Sequence, residues 1–129
     1  MPSRAESVLL VEDDAAIAEL YALKLRLDGY LVHLAADGAT AEVIFDRARP
    51  QVVCVDTRLP DASGRSFAPR FAMAGAHVIM LTNDQGSFEQ PPPGVSLAML
   101  KSRTSPGQLS AAIGELVQGS PDSRRRASA

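Results

Sequence analysis

Three short apolar runs constrain most strongly what this chain can fold into. They are VLLV at 8–11, VVCV at 52–55 and VIML at 78–81. Continuous apolar runs of this length, rich in β-branched residues, are typical of strands buried on both faces of a parallel sheet. Two weaker candidates are LVHLA at 31–35, whose alternation indicates an edge strand, and VSLAML at 95–100. The sequence therefore predicts five strands.

Apolar residues at helical spacing lie between most of these strands and after the last one. The final helix is marked most clearly, because Ser105 and Gln108 form a capping box and Pro106 suits the first helical position. In the third helix, Pro69 is expected only within a first turn. The predicted core-facing residues of the four helices are Ala16, Leu20, Leu23 and Leu27; Ala41, Ile44, Phe45 and Ala48; Phe67, Phe71 and Ala74; and Leu109, Ala112, Ile113, Leu116 and Val117.

The connection between the fourth and fifth predicted strands is unusual. It reads TNDQGSFEQPPPGV from 82 to 95. Three consecutive prolines cannot occupy a helix interior, and a proline disfavours helical backbone in the residue before it. We therefore predict a helix of little more than one turn between Asp84 and Glu89, followed by extended polyproline backbone.

Strands and helices thus alternate along the chain. This order predicts an α/β fold in which a doubly wound, open, five-stranded parallel sheet carries helices on both faces. We assign the strand order 2-1-3-4-5, with a shortened or irregular fourth helix. Ligands of open α/β sheets bind beyond the carboxyl ends of the strands, so the residues at those ends are the candidates for function.

Charged and hydroxyl residues stand at these strand ends. Glu12 and Asp13 follow the first strand, Asp56 ends the third, Thr82 ends the fourth and Lys101 follows the fifth. Clustered carboxylates repel each other, and their hard oxygen ligands suit Mg²⁺. A metal ion, a cation and a hydroxyl group around Asp56 would stabilise the oxygens of a transferring phosphoryl group. Asp56 would be the nucleophile that accepts this group.

These residues occur in a pattern that resembles a known family. VLLVEDD, VDTRLPDASG, LTN and LK, in this order and spacing, resemble the receiver domain of two-component response regulators. The D-x-x-L-P-x-x-x-G motif, from Asp56 to Gly64, is specific in combination with the acidic pair. The resemblance covers residues 7 to about 118 and implies a flavodoxin-like fold.

The resemblance implies a role for each residue of the pattern. Asp56 is expected to be the phosphoacceptor. Thr82 and Lys101 are expected to contact the phosphoryl group once it is bound. The expected Mg²⁺ ligands are Glu12, Asp13, Asp56 and the backbone carbonyl of Arg58. Asp14, in contrast, is predicted to cap the first helix.

The resemblance implies partners as well. A sensor histidine kinase or a histidine phosphotransfer protein would donate the phosphoryl group, and an unidentified protein would respond to the change. The receiver would catalyse only its own phosphorylation and slow dephosphorylation, so we do not expect an enzyme with external substrates. The predicted function is a phosphorylation-dependent signalling switch in a phosphorelay.

Four features depart from the family pattern. Ser102 replaces the proline that usually follows the lysine, so we predict a trans peptide bond there and a shifted Lys101 loop. Ala98 stands where an aromatic switch residue is usual, and the fourth helix is shortened. Asn83 is larger than the usual residue at its position and is expected to narrow access to Asp56.

Two other functions compete with the switch, and these departures keep the first of them open. A pseudo-receiver would keep the fold and bind partners without phosphorylation. A Mg²⁺-dependent phosphatase of the dehalogenase type would also form an aspartyl phosphate. Such enzymes need a second acid two residues after the nucleophile, however, and this chain has Arg58 there. The intact acids, threonine and lysine favour the switch.

Composition bounds the remaining classes of function. The net charge is −2, and the acidic excess lies in residues 1–119, because 120–129 contain three arginines and one acid. An acidic body argues against nucleic acid as the main partner of this domain. We predict a receiver domain at 1–119 and a disordered basic tail or linker at 120–129. The single cysteine, Cys54, and the lack of a targeting segment or membrane-length apolar run predict a cytoplasmic protein without a membrane partner.

Overall fold

A computed structural model of the chain describes residues 6–118, so the prediction for the tail at 120–129 lies outside the described residues. The five strands are β1 (Ser7–Val11), β2 (Leu31–Ala35), β3 (Val52–Asp56), β4 (His77–Thr82) and β5 (Leu97–Leu100). The helices are α1 (Ala15–Leu27), α2 (Gly38–Ala48), α3 (Gly64–Met73), α4 (Gln85–Glu89) and α5 (Pro106–Gln118). All strand pairs are parallel, in the order β2-β1-β3-β4-β5. The predicted fold class and strand order are confirmed.

The core consists of two apolar layers, one on each face of the sheet. Leu10 and Cys54 point into the layer shared with α1 and α5, whereas Leu9 and Val53 point into the layer shared with α2 and α3. Successive side chains of a strand alternate between faces, so a central strand with both faces covered must be apolar throughout. This arrangement explains the continuous apolar runs, and it leaves only the strand ends available for polar residues.

The predicted core face of α1 is wrong. Ala16, Leu20, Leu23 and Leu27 lie on the exposed side of the helix, and Leu27 is 74% exposed. The buried residues are Ala18, Tyr21, Ala22 and Leu25. Apolar residues surround most of this helix, so helical spacing alone cannot select the face. The small side chains of the two buried alanines let the helix backbone approach the sheet closely, which explains why this side packs inward.

Helix α3 begins earlier than predicted. The Ser63 hydroxyl accepts the N–H of Arg65 at 3.2 Å and caps the helix, which starts at Gly64. Pro69 therefore lies in the second turn and not in the first, and it cannot donate a hydrogen bond to the carbonyl one turn earlier. Ala74 is exposed at the end of the helix, so the predicted third stripe holds only for its two phenylalanines.

Helix α4 agrees with the prediction of little more than one turn. Asp84 caps it by accepting the N–H of Ser87 at 2.9 Å, and the helix ends before the prolines. The guanidinium of Arg65 donates to the Ser87 hydroxyl at 3.1 Å and to the carbonyl of Gln90 at 3.4 Å, which ties α4 to the start of α3. The prediction that the segment after α4 is extended is wrong at its end. There the N–H of Val95 donates to the carbonyl of Pro92 at 3.4 Å and closes a turn.

The region around α5 confirms the capping-box prediction and corrects one strand boundary. Ser105 N–H donates to Gln108 Oε1 at 2.8 Å, and Gln108 N–H donates to Ser105 Oγ at 3.1 Å. Strand β5 begins at Leu97, two residues later than predicted, after the turn in the proline segment. Among the described residues, every peptide bond is trans, including the one between Lys101 and Ser102, as predicted.

Across residues 6–118, no helix is both long enough and apolar enough to cross a lipid bilayer.

Candidate functional site

A cleft of about 510 Å³ opens at the carboxyl ends of the strands. Parallel strands end at the same edge of the sheet, so loops that are distant in sequence meet there. The residues that line the cleft are Glu12, Asp13, Asp14, Asp56, Thr57, Arg58, Asn83, Asp84 and Lys101. Of the predicted site residues, only Thr82 does not line it.

Asp56 is the last residue of β3 and is only 6% exposed. Its Oδ1 accepts the backbone N–H of Arg58 at 3.1 Å, and its Oδ2 lies 2.7 Å from Lys101 Nζ. Gly64 packs directly on the Asp56 backbone, because a Cβ atom at this glycine would lie 1.9 Å from the Asp56 carbonyl oxygen. The glycine of the D-x-x-L-P-x-x-x-G motif is thus the residue that lets α3 begin against the end of β3.

Lys101 bridges two buried carboxylates. Its Nζ lies 2.7 Å from Glu12 Oε1 as well as 2.7 Å from Asp56 Oδ2. Burial raises the pKa of Glu12 above its ordinary value, although Lys101 opposes the shift. Burial would by itself lower the pKa of Lys101, but hydrogen bonds and attraction from Asp56 and Glu12 outweigh it and raise this pKa. The lysine therefore stays charged and offsets part of the repulsion between the acids.

The acids of the cleft form a set of oxygen donors suited to a divalent ion. One carboxylate oxygen from each of Glu12, Asp13 and Asp56 lies within 4.8 Å of the others. Two of these residues are buried and Asp13 is exposed, so the cluster can be reached from solvent. Hard oxygen ligands in small number, with room for water, fit Mg²⁺. Asp14 instead caps α1 by accepting the N–H of Ile17 at 3.1 Å, as predicted.

The Thr82 hydroxyl lies behind the cleft. Its side chain is fully buried, its Oγ1 is 2.9 Å from Thr57 Oγ1, and it accepts the N–H of Asp84 at 2.9 Å. The structure therefore places Thr82 next to the site but engages its hydroxyl with Thr57. Either hydroxyl can be the donor of this contact, so Thr82 can donate to a group bound to Asp56 when Thr57 is the donor and must exchange partners when Thr82 is.

Two contributors to the site region were missed by the sequence reasoning. Thr57 was not considered, although a second hydroxyl residue beside the phosphoacceptor candidate was a visible signal. Asp61 was not among the predicted site residues, but it accepts the N–H groups of Gly38 at 2.8 Å and Ala39 at 3.0 Å. These hydrogen bonds lower the pKa of Asp61 and join the loop after Asp56 to the start of α2. Asp61 lies 23 positions from Gly38 and 22 positions from Ala39, and local sequence patterns do not reveal contacts at this separation.

Comparison with known proteins agrees with this arrangement. The sequence model of the response regulator receiver domain family matches residues 8–90. The chain is 41% identical over 78 residues to the probable transcriptional regulatory protein TcrX of Mycobacterium tuberculosis, covering 59% of this chain and 33% of that protein. The chain thus spans about a third of the length of the curated relatives that it matches.

Solved structures share the fold. A CheY-like response regulator receiver domain from Methanospirillum hungatei superposes with a TM-score of 0.79 at 23% identity, covering 89% of this chain and 95% of that one. The response regulator TrrA of Thermotoga maritima, solved in complex with Mg²⁺ and beryllium fluoride, gives a TM-score of 0.77 at 24% identity, covering 86% and 98%. The family match covers more than half of the sequence and includes the acidic pair and Asp56. The chain therefore belongs to the response regulator receiver domain family of two-component signal transduction.

Proposed function

We propose that this domain accepts a phosphoryl group on Asp56, with Mg²⁺, from a histidine kinase or a histidine phosphotransfer protein. Receiver domains are signalling modules controlled by phosphorylation, and they bind Mg²⁺ at an acidic pocket. The observation that carries the proposal for this chain is the contact between Lys101 Nζ and Asp56 Oδ2 at 2.7 Å, next to the carboxylates of Glu12 and Asp13. These groups are the nucleophile, the cation and the metal ligands that phosphoryl transfer requires.

The transfer is a substitution at phosphorus. A carboxylate oxygen of Asp56 attacks the phosphorus of a phosphohistidine, the P–N bond breaks, and the imidazole leaves with the electron pair of that bond and is protonated by solvent. The product on this chain is an acyl phosphate. Lys101, already beside Asp56, moves its ammonium group onto a phosphoryl oxygen. When bound, Mg²⁺ supplies positive charge that stabilises the phosphoryl oxygens.

The response to phosphorylation would be a population shift in the loops around the cleft. The Thr82 hydroxyl would exchange Thr57 for a phosphoryl oxygen, and the segment at 83–94 would move with it. Position 98 carries alanine, so no aromatic side chain is present there to rotate. We therefore propose that the signal is expressed in the conformation of 83–94.

Phosphorylation with acetyl phosphate tests the proposal directly. The protein is incubated with acetyl phosphate and Mg²⁺, and its intact mass is measured. We expect the gain of one phosphate in the wild type, its loss in Asp56→Asn, and its retention in Asp46→Asn, which makes the same change on the exposed side of α2. The proposal fails if the wild type gains no phosphate, or if Asp56→Asn gains it as readily.

A pseudo-receiver that binds partners without phosphorylation is the second candidate. The buried contact between Thr57 and Thr82 is the observation on its side, because a Thr82 O–H that donates to Thr57 is not available to a phosphorylated Asp56. The same experiment separates the two functions. Folded wild-type protein that gains no phosphate would support the pseudo-receiver, whereas a gain that Asp56→Asn abolishes would support the switch.

The partners and the location belong to the proposal as well. Receiver domains in general interact with histidine kinases or phosphotransfer proteins. We propose that such a protein donates the phosphoryl group to this chain and that a downstream protein of unspecified class responds to it. We also propose that the domain acts in the cytoplasm. Cys54 is compatible with a reducing compartment, because it is a free cysteine that is fully buried.

A further inference from the structure

Lys101 reaches Asp56 from a loop that lacks the usual proline. Strand β5 ends at Leu100, and residues Lys101–Arg103 form a single 3₁₀ turn. A proline after the lysine would fix one backbone torsion and remove one N–H group. Ser102 leaves that torsion free and keeps the N–H, so the loop that carries the lysine needs another restraint.

Hydrogen bonds among the described residues restrain both sides of the lysine, and the turn itself adds a bond from Thr104 N–H to the Lys101 carbonyl at 3.3 Å. Ser102 N–H donates to Asn83 Oδ1 at 2.8 Å. The hydroxyl of Tyr21 donates to the carbonyl of Thr104 at 2.7 Å, and Thr104 Oγ1 donates to the carbonyl of Leu100 at 2.6 Å. The Tyr21 contact fixes the distal end of the turn, and the Thr104 hydroxyl holds the carbonyl of Leu100 directly before Lys101. Among the described residues, the Asn83 contact is the side-chain hydrogen bond to Ser102, directly after Lys101.

The contact between Asn83 and Ser102 depends on both departures from the family pattern. A proline at 102 would have no N–H to donate, and a small residue at 83 would have no side-chain oxygen to accept it. Ser102 therefore supplies the N–H donor and Asn83 the oxygen acceptor of one hydrogen bond. The contact also joins two loops, because Asn83 directly follows Thr82 and Ser102 directly follows Lys101.

We propose that Asn83 is a positioning residue for Lys101, replacing through its hydrogen bond to Ser102 the restraint that a proline would give. This inference rests on the proposed function for its catalytic consequence, but the positioning itself does not require phosphorylation. The ammonium group of Lys101 lies between Glu12 and Asp56, and a fixed backbone direction at the end of β5 lowers the entropy lost when this flexible side chain is held there. Asn83 restrains that direction directly after the lysine, as Thr104 does directly before it.

The positioning is tested first without any phosphoryl donor. Amide hydrogen exchange at residue 102 is measured by NMR in the wild type, Asn83→Ala and Asn83→Asp. The single hydrogen bond predicts exchange roughly two- to tenfold faster in Asn83→Ala, the range that one net hydrogen bond spans. Asn83→Asp keeps an oxygen acceptor and should keep the protection. Equal exchange in the wild type and Asn83→Ala would overturn the inference.

The catalytic consequence is tested with acetyl phosphate and Mg²⁺. Ser102→Pro removes the N–H donor, whereas Ser102→Ala keeps it and is the matched control. We expect phosphorylation roughly two- to tenfold slower in Asn83→Ala, whereas Ser102→Pro loses the hydrogen bond but gains the torsional restraint of proline and should react within about twofold of the wild type. The double variant should be no slower than Ser102→Pro alone, and Ser102→Ala should react like the wild type. A further loss when Asn83→Ala is added to Ser102→Pro, or a loss in Ser102→Ala equal to that in Asn83→Ala, would contradict a shared hydrogen bond.

Two further outcomes are decisive. Faster phosphorylation in Asn83→Ala with a wild-type rate in Ser102→Pro would show that Asn83 only restricts access to Asp56, and the inference would be wrong. Wild-type protein that gains no phosphate would refute the proposed function, and the exchange measurement would then decide the positioning alone. Urea unfolding identifies any variant that fails to fold. Asn83 is exposed, so Asn83→Ala keeps the test valid if Ser102→Pro does not fold.

Discussion

Replacing Gly64 with alanine should disturb the fold and the site together. The added Cβ would lie 1.9 Å from the Asp56 carbonyl oxygen, 2.8 Å from the Asp56 carbonyl carbon and 3.0 Å from Val55 Cγ2. The two nearest atoms belong to the backbone of the central strand, which cannot rotate away as a flexible side chain could. The start of α3 or the end of β3 would therefore have to move by about 1 Å to restore a normal contact.

The expected loss can be estimated from two opposing effects. Overpacking in a well-packed region costs about 1–3 kcal/mol and occasionally more. Alanine is favoured over glycine in a helix by up to about 1 kcal/mol, but less so at a first helical position. Because the clash is with rigid backbone, we expect the variant to be about 2–3 kcal/mol less stable. With a urea m-value of about 2 kcal/mol/M, the unfolding midpoint would fall by roughly 1–1.5 M.

Urea unfolding followed by circular dichroism measures this change, and Gly107→Ala is the matched control. Gly107 lies at the second position of α5, and a Cβ there would come no closer than 3.9 Å to Ser105 Oγ. This control should be as stable as the wild type or up to about 1 kcal/mol more stable. If Gly64→Ala unfolds within about 0.5 kcal/mol of the wild type, the contact does not constrain the end of β3 and the reasoning is refuted.

Three further predictions address other parts of the structure. Thr57→Val removes the hydroxyl partner of Thr82, so the affinity of the protein for Mg²⁺ with beryllium fluoride should rise roughly two- to tenfold. Thr57→Ser keeps the hydroxyl and should change this affinity little. An unchanged binding titration for Thr57→Val would contradict the reasoning. N–H donors hold the pKa of Asp61 low, so its stabilisation is present above the ordinary aspartate value and is lost as the pH falls through the lowered one. Asp61→Asn should therefore be less stable near neutral pH and lose less stability below about pH 4, and parallel pH curves from urea unfolding would be inconsistent with it. Leu23→Gln should change the free energy of unfolding by less than about 0.5 kcal/mol, whereas Leu25→Ala should cost about 2–5 kcal/mol, and similar losses would mean that the buried face of α1 is misassigned.

The sequence predicted the fold well because its strongest signals are local. The apolar runs of the central strands can only be buried on both faces, and the alternation of strands and helices leaves few topologies. The capping box at Ser105 and the proline limit on α4 are also local, and both were confirmed. The face of α1 was not predictable, because either stripe satisfies helical periodicity and only packing against the sheet selects Ala18 and Leu25 over the exposed leucines.

The site was predicted in part for the same reason. Glu12, Asp13, Asp56 and Lys101 were expected to meet because parallel strands end at one edge, and the structure brings them together. Their roles in phosphorylation and metal binding stay predictions. The contacts of Thr57 and Asp61 join segments whose separation in sequence carries no periodic signal, so their geometry required the structure.

The contacts of Arg65 limit how the short α4 can move. Arg65 follows Gly64, which rests on the backbone of Asp56, and its guanidinium holds the far end of α4. The near end of α4 is attached to Thr82 through Asp84. Because the helix is attached at both ends, an outward displacement of α4 would have to break the two hydrogen bonds of Arg65 or the contact of Asp84 with Thr82. The combined strength of these contacts therefore sets how readily α4 can rearrange.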